Sequence, residues 1–537
     1  MDTTHVKLET GKQLMILLAF GVLVTVLMLR TVGYIAAPFD LNIVDDPLFF
    51  LNLIIKGHDD LIAYGDDVSA VYYVVPVLIY KVIGLLNVPM SHFTFAWYFW
   101  WLMVGLVGYF LLISTILEKE REGGEYAASI DNTLACSLFA VLNFFVISRL
   151  EDCFGFIPHL IAPWLLLSVV LVSMKRLRLG VTILFLASQL NTTQLTYNCI
   201  NLLLLGAFAF YYISWRAAVV LVIASIASSF WLWGSVIYMV IAPSAGLSFS
   251  ATNEDFLFYG QYSKILEIFS LSGNWADITR ATNIGDFIYG NSLARVTLLL
   301  PLVVLLWSIV KAQAAPKFYL SAIGIVALIA VGAHSTSPIG PVINSLGYEF
   351  FPIMIFRNTQ KFVGSLVIFM AIYLALSMNA RQRVLIWLYS TAMVATVLMT
   401  GIHPPTHQIK GIPEYWQEVR HHVESVGGNG NILLSPFAAA NHYDWNAYNA
   451  FRYAIPFRPP QPVLFKSLSH PNNFAIERIE RKMATGSTCD ALDEHDVYLV
   501  IERADIITNN HVSFDGVECI TRSTGFGPVI VHEVSSK

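Results

Sequence analysis

Charge is scarce in this sequence. Asp, Glu, Lys and Arg make up only 13% of its 537 residues, whereas 56% of the residues are hydrophobic. Soluble domains carry roughly twice that charged fraction, so a chain folded entirely in water is excluded. The formal net charge is only −5, and no nucleic-acid partner is expected because the chain has no basic excess to neutralise phosphates.

Cysteine is also scarce, with five residues in the whole chain and no metal-ligand spacing among them. Cys136, Cys153 and Cys199 lie in or beside apolar runs, where a thiol behaves as a small hydrophobe. Cys489 and Cys519 lie in the polar C-terminal part. An oxidising compartment would join that pair in a disulfide, and two free buried thiols are the alternative.

Long apolar runs fill most of the chain. Runs of about 17 to 25 residues predict membrane-spanning helices, and about eleven can be placed. Lys7 and Lys12 precede the first run, which predicts a cytoplasmic N-terminus by the positive-inside rule. That run is too long for a signal peptide, and no small-residue cleavage site follows it. The predicted spans are 14–36, 92–117, 133–148, 156–173, two short helices that meet near residue 191, 217–241, 294–310, 318–332, 362–376 and 384–401.

The composition changes at about residue 402. Residues 1–402 predict an all-α polytopic membrane module, and residues 403–537 predict a small soluble α/β domain. The odd number of spans predicts that this domain is extracytoplasmic. Its predicted elements are a helix at 414–424, with Pro413 at the start, and strands at 431–435, 497–501 and 528–531.

Seven Asp residues crowd the segment 39–73 of the first predicted outer loop, 38–92, where they meet one Lys and no Arg. Carboxylates beside a membrane are costly unless water, a cation or a substrate meets them. The segment is therefore either a solvated acidic loop or the catalytic loop of a membrane enzyme. Asp40, Asp45 and Asp46 are the catalytic candidates under the second interpretation.

Four further polar residues fall on the same predicted outer side. Arg357 and Lys361 are four apart and would share a helix face, where they either clamp a phosphate or snorkel to the interface. His159 begins a predicted span and is either structural or a donor-binding residue. Asn191 opens an Asn-Thr-Thr sequon, but its place at a helix junction favours packing or substrate contact over glycosylation.

Seven motifs, spread over nearly the whole chain, occur in an order that resembles one known family. The chain resembles the membrane module of mycobacterial-type α-(1→3)-arabinofuranosyltransferases, which belong to the GT-C superfamily of glycosyltransferases. The motifs are FDLNIVDDPLFFLN (39–52), YGDDVSAVYYVVPVLIYKVIGLLNVP (64–89), FIPHLIAPWLLL (156–167), SQLNTTQ (188–194), ILEIFSLSGNW (265–275), FRNTQKF (356–362) and IPEYWQEV (412–419).

The resemblance implies a mechanism. In such enzymes a carboxylate in the first outer loop is the general base for the acceptor hydroxyl, the donor is a polyprenyl-phosphate sugar, and the anomeric carbon is inverted. Asp40 matches the base, and Asp46 or Asp45 would position it or bind a divalent metal that some members use. Arg357 and Lys361 would neutralise the departing phosphate.

The resemblance therefore predicts a glycosyltransferase in a prokaryotic cell membrane. It would move a sugar, arabinofuranose among the candidates, from a polyprenyl-phosphate donor to a cell-envelope glycan or glycolipid at the outer face of the bilayer. One alternative is a transporter or flippase of lipid-linked glycans, but such proteins favour internal repeats and midplane charges, whereas the charges here fall in outer loops. A non-catalytic GT-C-like subunit is the other alternative.

Overall fold

The computed structural model describes residue 21 and the ranges 91–122, 130–149, 157–191, 195–229, 262–311, 317–342, 359–400, 413–437, 461–505 and 512–535. Within these ranges the description leaves out residues 273–277, 279–282, 333, 335–336, 429, 462 and 465–471. The predicted acidic segment with Asp40, Asp45 and Asp46 lies outside the described residues, and so does Arg357. The described residues divide between two compact units, one before residue 405 and one after it.

The first unit is helical throughout its described part. Many of its helices coincide with predicted spans, and the helix junction predicted near Asn191 is confirmed. The helices are α1 (Ser91–Glu122), α2 (Ile130–Val141), α3 (Phe144–Ser148), α4 (Ile157–Ser173), α5 (Leu177–Leu190), α6 (Leu195–Tyr212), α7 (Trp215–Ser228), α8 (Ile265–Phe269), α9 (Asn283–Gly290), α10 (Ser292–Thr297), α11 (Leu300–Lys311), α12 (Lys317–Val331), a 3-10 helix (Thr359–Phe362), α13 (Val363–Ser377) and α14 (Ala380–Thr400).

Several of these helices can cross a bilayer. Within the described ranges, five helical segments are long and apolar enough, and four apolar helices are shorter. The long segments are Phe99–Glu120, Asp131–Ser148, Ser292–Lys311, Thr359–Ser377 and Ala380–Thr400. A membrane protein is therefore confirmed, and the total of about eleven spans stays a prediction.

The predicted span 133–148 is not one continuous α-helix. It breaks at Asn143, whose side-chain amide donates to the Ala140 carbonyl over 2.8 Å while its Oδ1 accepts from the Val146 N–H over 3.2 Å. One side chain thus closes the end of α2 and caps the start of α3. Because Asn143 is fully buried, the break lies inside the bundle, within the segment Asp131–Ser148 that is still long and apolar enough to span a membrane.

Two helices are buried on every side. In α4 every residue from Ile157 to Leu171 is buried except Trp164, and in α13 every residue from Val363 to Leu376 is buried. A helix that is hydrophobic all round belongs inside a bundle. Among its neighbours, α4 contacts α1, α5 and α6, and α13 contacts α2 and α12.

Other helices expose large apolar side chains. A soluble surface rarely carries so many together, and a bilayer accommodates them without cost. On α5, α7 and α11 these side chains are Leu177, Leu179, Val181, Phe185, Leu186, Trp215, Val219, Val220, Ile223, Val303, Leu306, Ile309 and Val310.

Glycines let α1 approach α4 closely. A Cβ on Gly108 would lie 2.5 Å from the indole nitrogen of Trp164, and a Cβ on Gly105 would lie 2.5 Å from Leu160. The indole N–H instead donates to the Val104 carbonyl over 2.9 Å. Small residues at such contacts are how helices pack in lipid, where interhelical hydrophobic attraction is absent.

Pro163 lies within α4 and has no N–H to give to the carbonyl of His159, four residues earlier. Tyr109 of α1 supplies the missing donor, since its hydroxyl lies 3.2 Å from that carbonyl. A helix interrupted by proline is tolerated in a membrane when a neighbour satisfies the freed group. The same proline therefore ties α4 to α1.

The second unit is a mixed α/β fold, as predicted. Its elements are α15 (Glu414–Val426), β1 (Asn431–Ser435), β2 (Val463–Leu464), α16 (Asn472–Ala484), α17 (Thr488–Glu494), β3 (Val497–Arg503), β4 (Ile520–Phe526) and β5 (Val529–Val534). The strand order in its five-stranded sheet is β2-β1-β3-β5-β4. Strand β1 pairs in parallel with β2 and β3, and β5 pairs antiparallel with β3 and β4.

A disulfide joins Cys489, at the start of α17, to Cys519, just before β4. Of the two alternatives that the sequence left open, the disulfide is the one found. The bond closes a loop between residues 30 apart, and a loop of that size stabilises a domain by about 3 to 4 kcal/mol in the chain-entropy account.

We expect Gly108→Ala to destabilise the protein by about 1 to 3 kcal/mol because the new methyl group overpacks the contact with Trp164. Gly324→Ala, within α12, is the matched control because a Cβ there meets nothing within 4 Å. It should be neutral or stabilising by up to about 1 kcal/mol. Thermal unfolding in detergent measures both, and equal melting temperatures would contradict the packing described.

Candidate functional site

Several helix ends meet at one end of the first unit. Arg149 follows α3, Tyr197 lies in the first turn of α6, and Lys361 lies in the 3-10 helix before α13. Asn201 of α6 links two further helix ends to this region. Its side-chain amide donates to the carbonyl of Pro158, at the start of α4, and to Oδ1 of Asn191, at the junction between α5 and α6. Residues distant in sequence therefore build one polar region.

A pair of cations shares one aromatic ring there. The guanidinium carbon of Arg149 lies 5.5 Å from the centre of the Tyr197 ring, and the ammonium nitrogen of Lys361 lies 5.3 Å from it. Arg149 also lies 4.7 Å from the ring of Phe145. Cation–π contacts of this kind are strongest where water is excluded, and Arg149 is only 5% exposed. The arrangement suits an anion with several acceptor oxygens, such as a phosphate.

The 3-10 helix holds Lys361 in place. Thr359 donates from its hydroxyl to the Ala330 carbonyl over 2.9 Å. It also fills the space beside Gly332, where φ is +44° and a Cβ would lie 2.5 Å from the threonine side chain. Lys361 itself lies 3.4 Å from the Thr196 hydroxyl. Arg357 lies outside the described residues. The prediction that it shares a helix face with Lys361 therefore stays a prediction.

His159 lies in the core, 4% exposed. Its Nε2 is 2.9 Å from the Ala140 carbonyl, which can only accept, so Nε2 carries the proton. Tyr109 lies 3.0 Å from the same nitrogen, and Phe145 packs edge-on at 5.4 Å between ring centres. His159 thus supports Phe145, which in turn contacts Arg149. A direct role in donor binding stays a prediction.

Asn191 is also buried, 4% exposed. Its Oδ1 accepts from the Asn201 amide over 2.7 Å, and the same amide donates to the Pro158 carbonyl over 3.0 Å. The two asparagines therefore connect the end of α5 and the body of α6 to the start of α4. Packing is one of the two roles that the sequence left open for Asn191, and the other, contact with a donor, stays a prediction.

Two buried amides adjoin Tyr197 and Lys361 in sequence. Asn198 follows Tyr197, and Gln360 precedes Lys361; both are 0% exposed. Neither atom of either side-chain amide has a hydrogen-bond partner in the described part of the chain. An unsatisfied buried amide costs about 1 to 3 kcal/mol, so a pair of them beside a charged cluster points to a group that the protein binds.

A buried carboxylate lies on α8, within the motif at 265–275. Glu267 is 8% exposed; it accepts from the Tyr289 hydroxyl over 2.6 Å and from Arg295 over 3.3 Å. Tyr289 packs 6.4 Å from Phe144, the first residue of α3. Nearby, burial lowers the pKa of His334, and the positive charge of Lys264 lowers it further.

The sequence did not single out Arg149, Tyr197, Asn198 or Gln360 as site residues. A lone arginine after an apolar run is usually a snorkelling residue, and Gln360 was noted only as part of the FRNTQKF motif (356–362). Tyr197 and Asn198 do lie in the polar interruption around the helix junction, which was the available signal. No group of three His, Cys, Asp or Glu side chains that could hold a metal occurs among the described residues, and the predicted metal-binding aspartates lie outside them.

The architecture matches known structures. No protein-family model and no curated protein matches this chain. The cryo-EM structure of arabinofuranosyltransferase AftD from Mycobacteria matches with a TM-score of 0.61 and 15% identity, covering 98% of this chain and 40% of that chain. Two structures of an arginine-to-serine mutant of AftD match with TM-scores of 0.57 and 0.56 and 14% identity, covering 97% and 98% of this chain and 41% and 42% of that one.

These similarities define the fold. The chain is a membrane protein that shares its fold with arabinofuranosyltransferase AftD, and the predicted resemblance to an arabinofuranosyltransferase is confirmed at the level of fold. The chain shares that fold with part of AftD and spans less than half of that enzyme's length.

We expect Asn198→Leu to raise the melting temperature of the ligand-free protein because it removes an unpaired buried amide. Asn201→Leu, one turn along the same helix, is the matched control. It should lower the melting temperature, since it leaves the Pro158 carbonyl and Asn191 without their shared donor. Thermal unfolding in detergent measures both. A loss of stability in both variants would mean that the Asn198 amide is satisfied in the free protein.

Proposed function

We propose that this protein is a membrane glycosyltransferase that takes a sugar from a polyprenyl-phosphate donor. The observation that carries the proposal is the pairing of Arg149 and Lys361 around the Tyr197 ring, in a fold that the chain shares with AftD. Arabinofuranose is the leading candidate sugar because AftD is named as an arabinofuranosyltransferase. The acceptor is a cell-envelope glycan or glycolipid.

The cation pair suits a leaving group of this kind. When the bond to the anomeric carbon breaks, its electron pair stays on the phosphate oxygen and the phosphate gains negative charge. Fixed cations in a water-poor site stabilise that developing charge without reorganisation. Arg149 offers a planar fork of donors and Lys361 a compact point charge, and Arg357 would add a third cation.

The buried amides suit the uncharged part of the donor. A carboxamide offers both a donor and an acceptor, which complements a sugar hydroxyl, whereas its carbonyl oxygen would repel a phosphate oxygen. Asn198 follows Tyr197, whose ring the cation pair shares, and Gln360 precedes Lys361; adjacent Cα atoms lie about 3.8 Å apart. A sugar joined directly to the phosphate would lie within reach of both.

The acceptor hydroxyl needs a base. Asp40 is proposed to remove its proton as the acceptor oxygen attacks the anomeric carbon, with inversion. Asp46 or Asp45 would position Asp40 or bind a divalent metal. The active site would open to the outside of the cell, the side also predicted for the C-terminal unit, and the lipid tail of the donor would lie between helices.

The phosphate-binding role can be tested without catalysis. We expect Arg149→Gln and Lys361→Gln each to weaken binding of sugar-free polyprenyl phosphate in detergent micelles by roughly tenfold or more, as for a lost charge-assisted hydrogen bond. Lys317→Gln is the control because that exposed lysine begins α12, whose other end lies about 20 Å away beside Thr359. It should bind normally. Unchanged binding in the Lys361 variant would exclude the proposed clamp.

Transfer is the direct test of the function. Purified wild type and Asp40→Asn are compared with a panel of polyprenyl-phosphate pentoses and hexoses and a glycan acceptor. We expect the wild type to transfer a pentofuranose, and the variant to lose at least about a hundredfold in turnover while it still binds polyprenyl phosphate. Full turnover in the variant would move the base to Asp46. Donor binding without transfer by the wild type would favour a flippase or a non-catalytic subunit.

A further inference from the structure

One residue from each of three adjacent strands forms a polar row in the C-terminal unit. In the β3–β5 ladder His532 lies opposite Val500 and Ile530 lies opposite Glu502; in the β4–β5 ladder His532 lies opposite Ser523. Side chains two residues apart share a face of a strand. Glu502, His532 and Ser523 therefore project from the same face of the sheet.

These three side chains are hydrogen-bonded in series. The Ser523 hydroxyl lies 2.8 Å from Nδ1 of His532, and Nε2 of His532 lies 3.0 Å from Oε2 of Glu502. A carboxylate can only accept, so Nε2 carries the proton. Nδ1 then has a lone pair, which accepts from the serine hydroxyl. Glu502 is itself fixed by the N–H of Phe514, 3.1 Å from the same oxygen.

Burial changes along the row. His532 is 0% exposed and packs 6.2 Å from the Phe514 ring, whereas Ser523 is exposed. A Cβ on Gly525, two residues further along β4, would meet nothing within 4 Å, so the space beside Ser523 is open. The row therefore leads from a partly buried carboxylate, through a fully buried imidazole, to a hydroxyl that a substrate can reach.

We propose that Ser523, His532 and Glu502 form a nucleophilic centre that acts on carboxylic esters. A serine within hydrogen-bond reach of a histidine, which a carboxylate orients in turn, is the arrangement that activates a hydroxyl for acyl transfer. Ser523 and His532 are the catalytic residues, and Glu502 is a positioning residue. This activity is separate from glycosyl transfer and involves none of the residues assigned to it.

The chemistry balances with water as the only co-reactant. Ser523 Oγ attacks the ester carbonyl carbon as its proton passes to Nδ1 of His532. The carbonyl π electrons move to the oxygen and return as the alkoxide leaves, taking the proton from Nδ1. Water then attacks the acyl-serine by the same route, which releases the carboxylic acid and restores the serine hydroxyl.

The edge of the sheet supplies donors for the oxyanion. Among the described strands β4 pairs only with β5, so alternate N–H groups of β4 point away from the sheet. Backbone N–H groups are the usual stabilisers of a tetrahedral oxyanion. An open strand edge suits a small acyl group, such as acetyl, carried on an exposed hydroxyl.

A fluorophosphonate probe tests the proposal on the full-length protein in detergent. We expect covalent labelling of Ser523 in the wild type, located by peptide mass spectrometry, and no labelling at that position in Ser523→Ala. Thr521→Ala is the matched control, because Thr521 lies on the same strand and its hydroxyl bonds a backbone carbonyl, that of Glu533. It should label like the wild type. An unlabelled Ser523 in folded wild type would overturn the proposal.

Glu502→Gln separates positioning from structure. The amide oxygen can still accept from the Phe514 N–H, but the carboxylate that orients the imidazole is lost. We expect the maximal labelling rate to fall at least about tenfold, with the half-saturating probe concentration and the melting temperature unchanged. Hydrolysis of p-nitrophenyl acetate should fall in parallel in this variant and in Ser523→Ala. A labelling rate equal to that of the wild type would exclude the proposed relay.

Discussion

Polar groups buried in the helical unit must find partners inside it, and this constraint organises the bundle. Pro163 leaves the His159 carbonyl without its helical donor, and Tyr109 supplies a replacement from α1. Asn143 closes one helix and caps the next within a buried break. Each of these irregularities in a helix is therefore paired with a specific side chain, and each such pair fixes how two elements lie against each other.

Two buried asparagines of α6 differ in this respect. Asn201 satisfies two acceptors at once, whereas Asn198, one turn earlier in α6, has no partner among the described residues. Gln360 is in the same situation beside Lys361. Local departures from complete pairing are expected where a protein reserves polar groups for a ligand. The contrast between two asparagines on one helix is therefore more informative than the polarity of either.

The sequence predicted much of the architecture because hydrophobic periodicity and turn residues act locally. Strand β1 was placed at its observed bounds, 431–435, and α4 within one residue of its start. The break at Asn143 was missed because a single asparagine in an apolar run does not reveal its hydrogen bonds. Its amide nitrogen donates to a backbone carbonyl, and its amide oxygen accepts from a backbone N–H. Arg149 and Lys361 contact the same ring although more than two hundred residues separate them in sequence. No local sequence pattern contains such a pairing.

Family resemblance and structure contribute different parts of the proposed site. Lys361 was selected from a motif, and Arg149 was found only because folding brings it to the same ring. The row of Ser523, His532 and Glu502 has no motif, since its members come from three strands whose order in the sheet differs from their order in the chain. Sheet register, which a sequence does not state, is what aligns them.

The disulfide between Cys489 and Cys519 has a consequence for how the protein can be produced. It attaches the residue just before β4 to α17, so the β4–β5 hairpin is covalently held at its base. Such a bond persists only in an oxidising compartment. A C-terminal unit made in a reducing cytosol would retain the hairpin through sheet pairing and packing alone, and preparations from the two kinds of host would be chemically different proteins.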